Sequence, residues 1–534
     1  MIGTSTFDYI WVKSWVVILH SIAPICVAYC VSILCLPTSW RLPAFFEYWA
    51  LAETIFCLIF YLYQRRQLQR PALHPPVPSQ EERQKLFHLC QESTQDVVRY
   101  LSGWFFYAPL TAVKRENVKE FFRWAFLNTD LSDPTYDDEV EEYVKSIELG
   151  TGLNFEDGRA DVKCLRLTLD KVDALHRSLV WYSVRFSFCS RIASANVLLC
   201  IFIVDIVTHA YMRFHHFHHY RASIRHFFDV FPLRPQTLLT THRAPAENLT
   251  YWYRPHTSRT ELPILFLHGI GVGLYPYMEY LKELNQGRQA EDGVIGILAL
   301  EILPISSRIT SPLLRKQEMC QQLQATLRHH GFERYILVSH SYGSVISTHL
   351  LKTPDLASMI AAVILVDPIS ILLHQPDVAY NFIIRRPKFA NEWLLWYFGS
   401  KDVGVAHTLS RTFFWSENIL WKDDLLSHPA TVFLNGKDSI INAPLVYEYL
   451  QATLGDEEEH TNRVSFQGDE ITADYNSKKA VPEKEHSGDG RLKVVWCPDL
   501  DHGEVFDKPS LRKQLVEETL ARARGDFSVQ HKGR

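Results

Sequence analysis

Ser341 lies in the stretch Arg334–Val345, which reads Arg-Tyr-Ile-Leu-Val-Ser-His-Ser-Tyr-Gly-Ser-Val. Tyr335–Val338 has the bulk and β-branching of a short buried strand, and Ser344–Leu351 can run as a helix. A strand, a sharp turn carrying serine and then a helix make a nucleophile elbow, which lifts one hydroxyl above the carboxyl edge of a sheet. Gly343 leaves room where helix and strand pass closely. The backbone N–H of Tyr342 can then face an oxygen that becomes negative during acyl transfer.

This stretch resembles the α/β-hydrolase superfamily, whose elbow reads Gly-x-Ser-x-Gly; Ser339 replaces the first glycine. The resemblance implies a nucleophilic Ser341 and a second oxyanion donor at the backbone N–H of Ile270, in His268-Gly269-Ile270-Gly271 after the apolar run Ile264–Leu267. His268 is expected to be a structural loop residue and not the base. For the triad acid two candidates stand at strand ends: Asp367 after Ala361–Val366, and Asp438 after Ala430–Leu434. Asn435-Gly-Lys-Asp438 resembles the acid-bearing turn of the superfamily and is preferred. His502, after Leu492–Trp496, matches the position of the catalytic histidine, and the order Ser341, Asp438, His502 is that of the fold. Asp499 and Asp501 lie close to His502 in sequence without displacing Asp438.

The elements that must position these residues alternate as a parallel sheet covered by helices requires. Strands are predicted at Thr250–Tyr253, Ile264–Leu267, Val294–Leu300, Tyr335–Val338, Ala361–Val366, Ala430–Leu434 and Leu492–Trp496. Helices are predicted at Tyr275–Leu284, Arg315–His330, Pro444–Leu454 and Leu511–Ala523. The expected fold is therefore α/β, an α/β-hydrolase domain over 235–534 with a mainly parallel sheet. A helical cap is expected over about 369–426 and a polar insertion over about 455–490. Aromatic-rich Phe389–Phe398 and Arg411–Trp421 in the cap can form an acyl groove or pack inertly.

Residues 1–70 read as a membrane anchor, a two-helix hairpin. Trp15–Leu36 is apolar and free of Asp, Glu, Lys and Arg, and Phe45–Tyr63 is a second candidate span in which Glu53 needs a polar partner. The basic run Gln64–Arg70 favours a cytosolic side for the chain that follows, and so an intracellular membrane protein with its catalytic domain in the cytosol. Residues 71–234 read as a helical region after the proline-rich spacer Pro71–Pro78. The aromatics of Trp104–Tyr107 and Phe121–Trp124 can face lipid or protein, Asp137–Ile147 and Leu169–Phe188 are expected to be helical, and Ala195–Val207 to be a buried or interfacial helix. The histidines of Tyr211–His226 lack a metal-binding spacing and are expected to form a solvated or membrane-surface patch.

A net charge of -5 lacks the basic field of a nucleic-acid binder, and ten cysteines without a close paired motif favour free thiols over disulfides. The expected activity is hydrolysis of a hydrophobic carboxylic ester through an acyl-enzyme, with a thioesterase, an acyltransferase or a noncatalytic membrane scaffold as alternatives. The partners expected are a hydrophobic acyl substrate and membrane lipids, with no nucleic acid, no cofactor and no metal.

Overall fold

The computed structural model describes residues 5–33, 41–183, 201–452 and 491–525. Eight strands form one sheet: β1 (His218–Tyr220), β2 (Thr250–Arg254), β3 (Ile264–Leu267), β4 (Ile297–Glu301), β5 (Tyr335–His340), β6 (Ile360–Val366), β7 (Ala430–Asn435) and β8 (Leu492–Cys497). Their order is β1-β2-β4-β3-β5-β6-β7-β8. β2 pairs antiparallel with both β1 and β4, whereas the pairs from β4 through β8 are parallel. This order, with its one reversed strand, is the sheet of an α/β-hydrolase fold.

β3 and β6 are apolar along their whole length, and β5 up to Val338, because both faces are covered. Alternate residues divide between two cores: Leu265, Leu267, Leu337, Val363 and Leu365 on one face, Phe266, Ile336, Val338, Ile364 and Val366 on the other. The first core is closed by the helices Lys316–His329 and Gly343–Leu351, the second by Met278–Glu283 and Pro509–Arg524. The register sets His340 beside Val366, Val366 beside Phe433 and Asn435 beside Cys497, so the chain leaves β5, β6, β7 and β8 at one edge.

The sheet begins earlier than expected, at His218 inside the histidine-rich stretch. His216 and His218 are exposed, but His219 is buried and meets Glu301 at 3.1 Å. The solvated-patch expectation therefore fails at His219. The anchor of this edge is Arg234, which binds both carboxylate oxygens of Asp205 and both of Glu301. Asp205 sits on the helix Ile201–Phe214, which overlaps the helix expected over Ala195–Val207; the first six residues of the expected helix lie outside the described residues.

Helices Gln80–Glu92, Val97–Trp104, Arg115–Leu127 and Pro134–Thr151 share a third core with Ala379 and Trp415 of the cap. Trp104, Phe121, Phe122 and Trp124 face protein here, and the indole N–H groups of Trp104 and Trp124 donate to His374 O and Thr168 Oγ1. The helix expected over Leu169–Phe188 does not form: the chain is irregular to Ser178 and only Leu179–Ser183 is helical before the described residues end at 183. The polar insertion at 455–490 lies outside the described residues.

Thr6–Ser32 and Ala44–Leu68 are both long and apolar enough to cross a membrane. Thr6–Ser32 buries Val12, Val16 and Leu19 among Ala390 and Tyr397 of the cap, while Phe7, Ile10, Val17 and Ile25 stay exposed. Glu53 finds its polar partners in the backbone N–H groups of Leu179 and Val180, at 2.8 and 2.7 Å.

Candidate active site

β5 delivers Ser341 into a turn with φ of +51°, a left-handed conformation that a non-glycine residue holds only when its surroundings enforce it. The enforcement is close packing. A Cβ at Gly343 would lie 2.4 Å from the carbonyl oxygen of Leu267, and one at Gly269 would lie 2.9 Å from Ser341 Cβ. Ser339, in place of the first elbow glycine, is fully buried and accepts a hydrogen bond from Ser347 Oγ at 2.8 Å on the following helix. The hydroxyl that departs from the glycine pattern is thus satisfied inside the elbow.

Three residues from distant loops meet at the sheet edge. His502 Nε2 lies 2.8 Å from Ser341 Oγ, and its Nδ1 lies 2.6 Å from Asp438 Oδ2. The other Asp438 oxygen accepts from the backbone N–H groups of Ile440 and Ile441, which fixes the carboxylate in its turn. Burial disfavours a charged His502, but the Asp438 carboxylate, with Asp367 and Asp501 behind it, outweighs burial and raises its pKa to about 9.

Asp367, the other acid weighed from the sequence, comes to the same cluster in a different role. It follows β6 with φ of +44°, is fully buried, and accepts from Asn435 N, Asn435 Nδ2 and Gly503 N. Burial, then the charge of Asp438, pushes its pKa up to about 7. Every group in those three contacts nevertheless donates, so the geometry favours a carboxylate. One oxygen of Asp367, one of Asp438 and one ring nitrogen of His502 lie within 4.8 Å of one another, close enough to hold a metal, yet each residue is already engaged by the bonds described above.

The neighbouring acids separate cleanly. Asp501 accepts from Ser439 N, His502 N and Asn391 Nδ2, tying the acid turn, the histidine turn and the cap together. Asp499 pairs with Lys437 at the surface. His268 is consumed by structure: Ile302 N donates to its Nε2 and its Nδ1 faces Gly269 O.

Ile270 lines the same pocket as Ser341 and His502. Among the described residues neither the Ile270 nor the Tyr342 backbone N–H has a backbone acceptor, so both remain available to a developing oxyanion. Sequence reasoning missed the brace beneath them. Tyr277 Oη accepts from Gly269 N and lies 2.8 Å from Nδ1 of buried His340, linking the loop before Ile270 to the residue before Ser341. No spacing rule joins positions 277 and 340, so this contact had no sequence signal.

Ser341 and His502 open into a pocket of about 900 Å³. Its walls come from the helical region (Trp104, Trp124) and from the cap (Phe382, Leu409, Phe413), and they are overwhelmingly apolar.

No protein-family model and no curated protein matches the chain. Among solved structures it is similar to a membrane phospholipase A described as a bacterial virulence factor, at 11% identity over 61% of this chain and 92% of that one, with a TM-score of 0.35. It is also similar to a carboxylesterase structure from the ammonia-oxidizing thaumarchaeon Nitrososphaera gargenis, at 13% identity over 52% and 96% of the two chains, TM-score 0.32. A third likeness is to carboxylesterase CesB from Bacillus subtilis, at 9% identity over 60% and 98%, TM-score 0.31. The fold assignment rests on strand order and register, not on these likenesses.

Proposed function

We propose that the chain is a membrane-associated serine hydrolase that cleaves a hydrophobic carboxylic ester through an acyl-enzyme. The observation that carries this reading is the continuous relay Ser341 Oγ, His502, Asp438 opening into a large apolar pocket. His502 takes the Ser341 proton as the hydroxyl oxygen attacks the ester carbonyl. The carbonyl oxygen becomes negative between the N–H groups of Ile270 and Tyr342, while Asp438 holds the imidazole tautomer and stabilises its charge. His502 returns the proton to the leaving alkoxide, and the acyl group stays on Ser341. Water, deprotonated by the same histidine, then releases the acid.

Two observations favour a lipid-like acyl chain. The pocket beside Ser341 is lined by aromatic and aliphatic side chains, the kind of surface that buries an acyl chain. The cap that forms part of it also packs on Thr6–Ser32, one of the two helices apolar enough for a bilayer.

A fluorophosphonate probe with the detergent-solubilised full chain tests the reading. Labelling of wild type that is lost in Ser341→Ala, with ester turnover lost in parallel, supports it. No labelling of a folded wild type across pH and detergent conditions overturns it in favour of a noncatalytic scaffold. Transfer of the acyl group to an added alcohol in preference to water would recast the second step as acyl transfer.

A further inference from the structure

A second, partly open cavity lies at the β1 edge of the sheet and shares no lining residue with the active-site pocket. Arg221, His226 and Thr250 line it, and Arg221 Nε, His226 Nε2 and Thr250 Oγ1 have no hydrogen-bond partner among the described residues although each atom is buried. Thr250 itself is only 5% exposed. Leaving three such groups unmatched is costly, and a ligand rich in acceptors relieves that cost.

The charge of the cavity is positive. Asp205 and Glu301 lie behind it, but Arg234 binds both, Arg308 also binds Asp205, and His219 also meets Glu301. Arg221 forms no ion pair among the described residues, so its cation is surplus, and Asp229, the carboxylate near His226, is exposed to solvent. A guanidinium with nearby hydroxyl and imidazole donors suits a phosphate group.

The rim shows where that phosphate comes from. Ile224, Phe228, Leu233, Leu238 and Leu239, on the segments bounding the cavity, are all exposed, Phe228 and Leu239 by 70% and 71%. Exposed apolar side chains around a cationic pocket are the pattern of a surface that enters the headgroup layer. The same segment packs against the second apolar helix: the Phe231 ring lies 5.4 Å from that of Phe56 and 5.7 Å from that of Phe60.

We propose that this cavity binds the phosphate headgroup of an anionic membrane lipid, seating residues 224–239 on the bilayer surface beside the Ala44–Leu68 helix. The proposal rests on the membrane association advanced above but not on catalysis, because its ligand need not reach Ser341.

The test uses full-length Ser341→Ala protein in a nonionic detergent, which removes turnover. Binding is measured for dioctanoyl phosphatidic acid, dioctanoyl phosphatidylcholine and inorganic phosphate, against Arg221→Gln and Thr250→Val made in the same background. Phosphatidic acid should bind saturably, at least tenfold tighter than phosphatidylcholine or inorganic phosphate. Arg221→Gln should weaken it at least tenfold and Thr250→Val severalfold. Equal binding of phosphatidic acid and phosphatidylcholine, or unchanged binding in both variants, overturns the site. Inorganic phosphate binding as tightly as the lipid overturns the membrane source and leaves a soluble phosphate site. Fluorophosphonate labelling of Arg221→Gln in the Ser341-containing chain should stay unchanged. That arm also separates the two readings: loss of labelling in wild type removes the hydrolase and leaves the lipid site standing.

Discussion

Asp367→Asn should move the pH dependence of the serine's reactivity toward lower pH. His502 must be neutral to take the Ser341 proton, so the labelling rate rises as pH passes its pKa, which the surrounding carboxylates hold at about 9. An ionised Asp367 stabilises the imidazolium; removing its charge lowers the pKa and frees the base at lower pH. With one Asp367 oxygen and one His502 ring nitrogen no more than 4.8 Å apart, the pair interaction is about 3.5 kcal/mol at an effective dielectric near 20 and about 0.9 kcal/mol in water. At about 1.36 kcal/mol per tenfold, the midpoint should fall by between about 0.6 and about 2.5 pH units.

The assay is the second-order rate of fluorophosphonate labelling from pH 5 to 10, which needs no knowledge of the natural ester. Asparagine turns an amide toward groups that all donate, so some loss of stability, about 1–3 kcal/mol, accompanies the change and is read separately as a lower melting temperature. A midpoint that stays in place in folded Asp367→Asn protein would show that Asp367 carries no charge at the pH of the midpoint, against the carboxylate geometry. A midpoint that rises would refute the electrostatic account altogether.

Asp438→Asn should leave the pocket open but lower labelling and turnover by roughly 10⁴-fold, because the asparagine no longer holds the His502 Nδ1 proton inward; a loss below tenfold would remove Asp438 from the relay. Ala379→Trp should fill part of the apolar cavity that Ala379 lines, raising KM for long-chain esters about tenfold while short esters keep theirs; equal loss across chain lengths would place the acyl chain elsewhere. Arg234→Met leaves Asp205 and Glu301 buried with their main counter-ion gone and should cost about 3–5 kcal/mol, seen in thermal unfolding; a melting temperature equal to wild type would mean that water reaches these carboxylates.

The catalytic half of the molecule was legible because its physics is local. Strands buried on both faces read as short apolar runs, and the residues that do chemistry sit in the turns just beyond them. The elbow could be read despite Ser339, since the polar replacement found its partner eight positions on, at Ser347, within the same strand-turn-helix unit. The choice between Asp438 and Asp367 was harder, because both end a strand at the same sheet edge. Only the positions of the oxygens separate them: one faces His502 Nδ1, the other is consumed by backbone and amide donors. The β1 edge strand was missed because His218–Tyr220 has no apolar alternation. Its burial depends on Glu301 and Arg234, remote in sequence.

The pocket was illegible for a related reason, and the failed helix at Leu169 shows why. That segment directly follows two of the pocket walls, Leu167 and Thr168, and the carbonyl oxygens of this irregular backbone need donors from outside. Arg411 of the cap supplies them, donating to the carbonyl oxygens of Thr168 and Asp170 and also to that of Arg70 beside the second apolar helix. One guanidinium therefore holds the end of the second apolar helix, the loop of the helical region and the cap in a fixed relation around the apolar cavity. Helical periodicity could not predict a segment whose conformation is set by a side chain some 240 positions away. On the proposed reading, substrate choice is accordingly a property of how three regions dock, whereas the proposed triad belongs to the sheet edge.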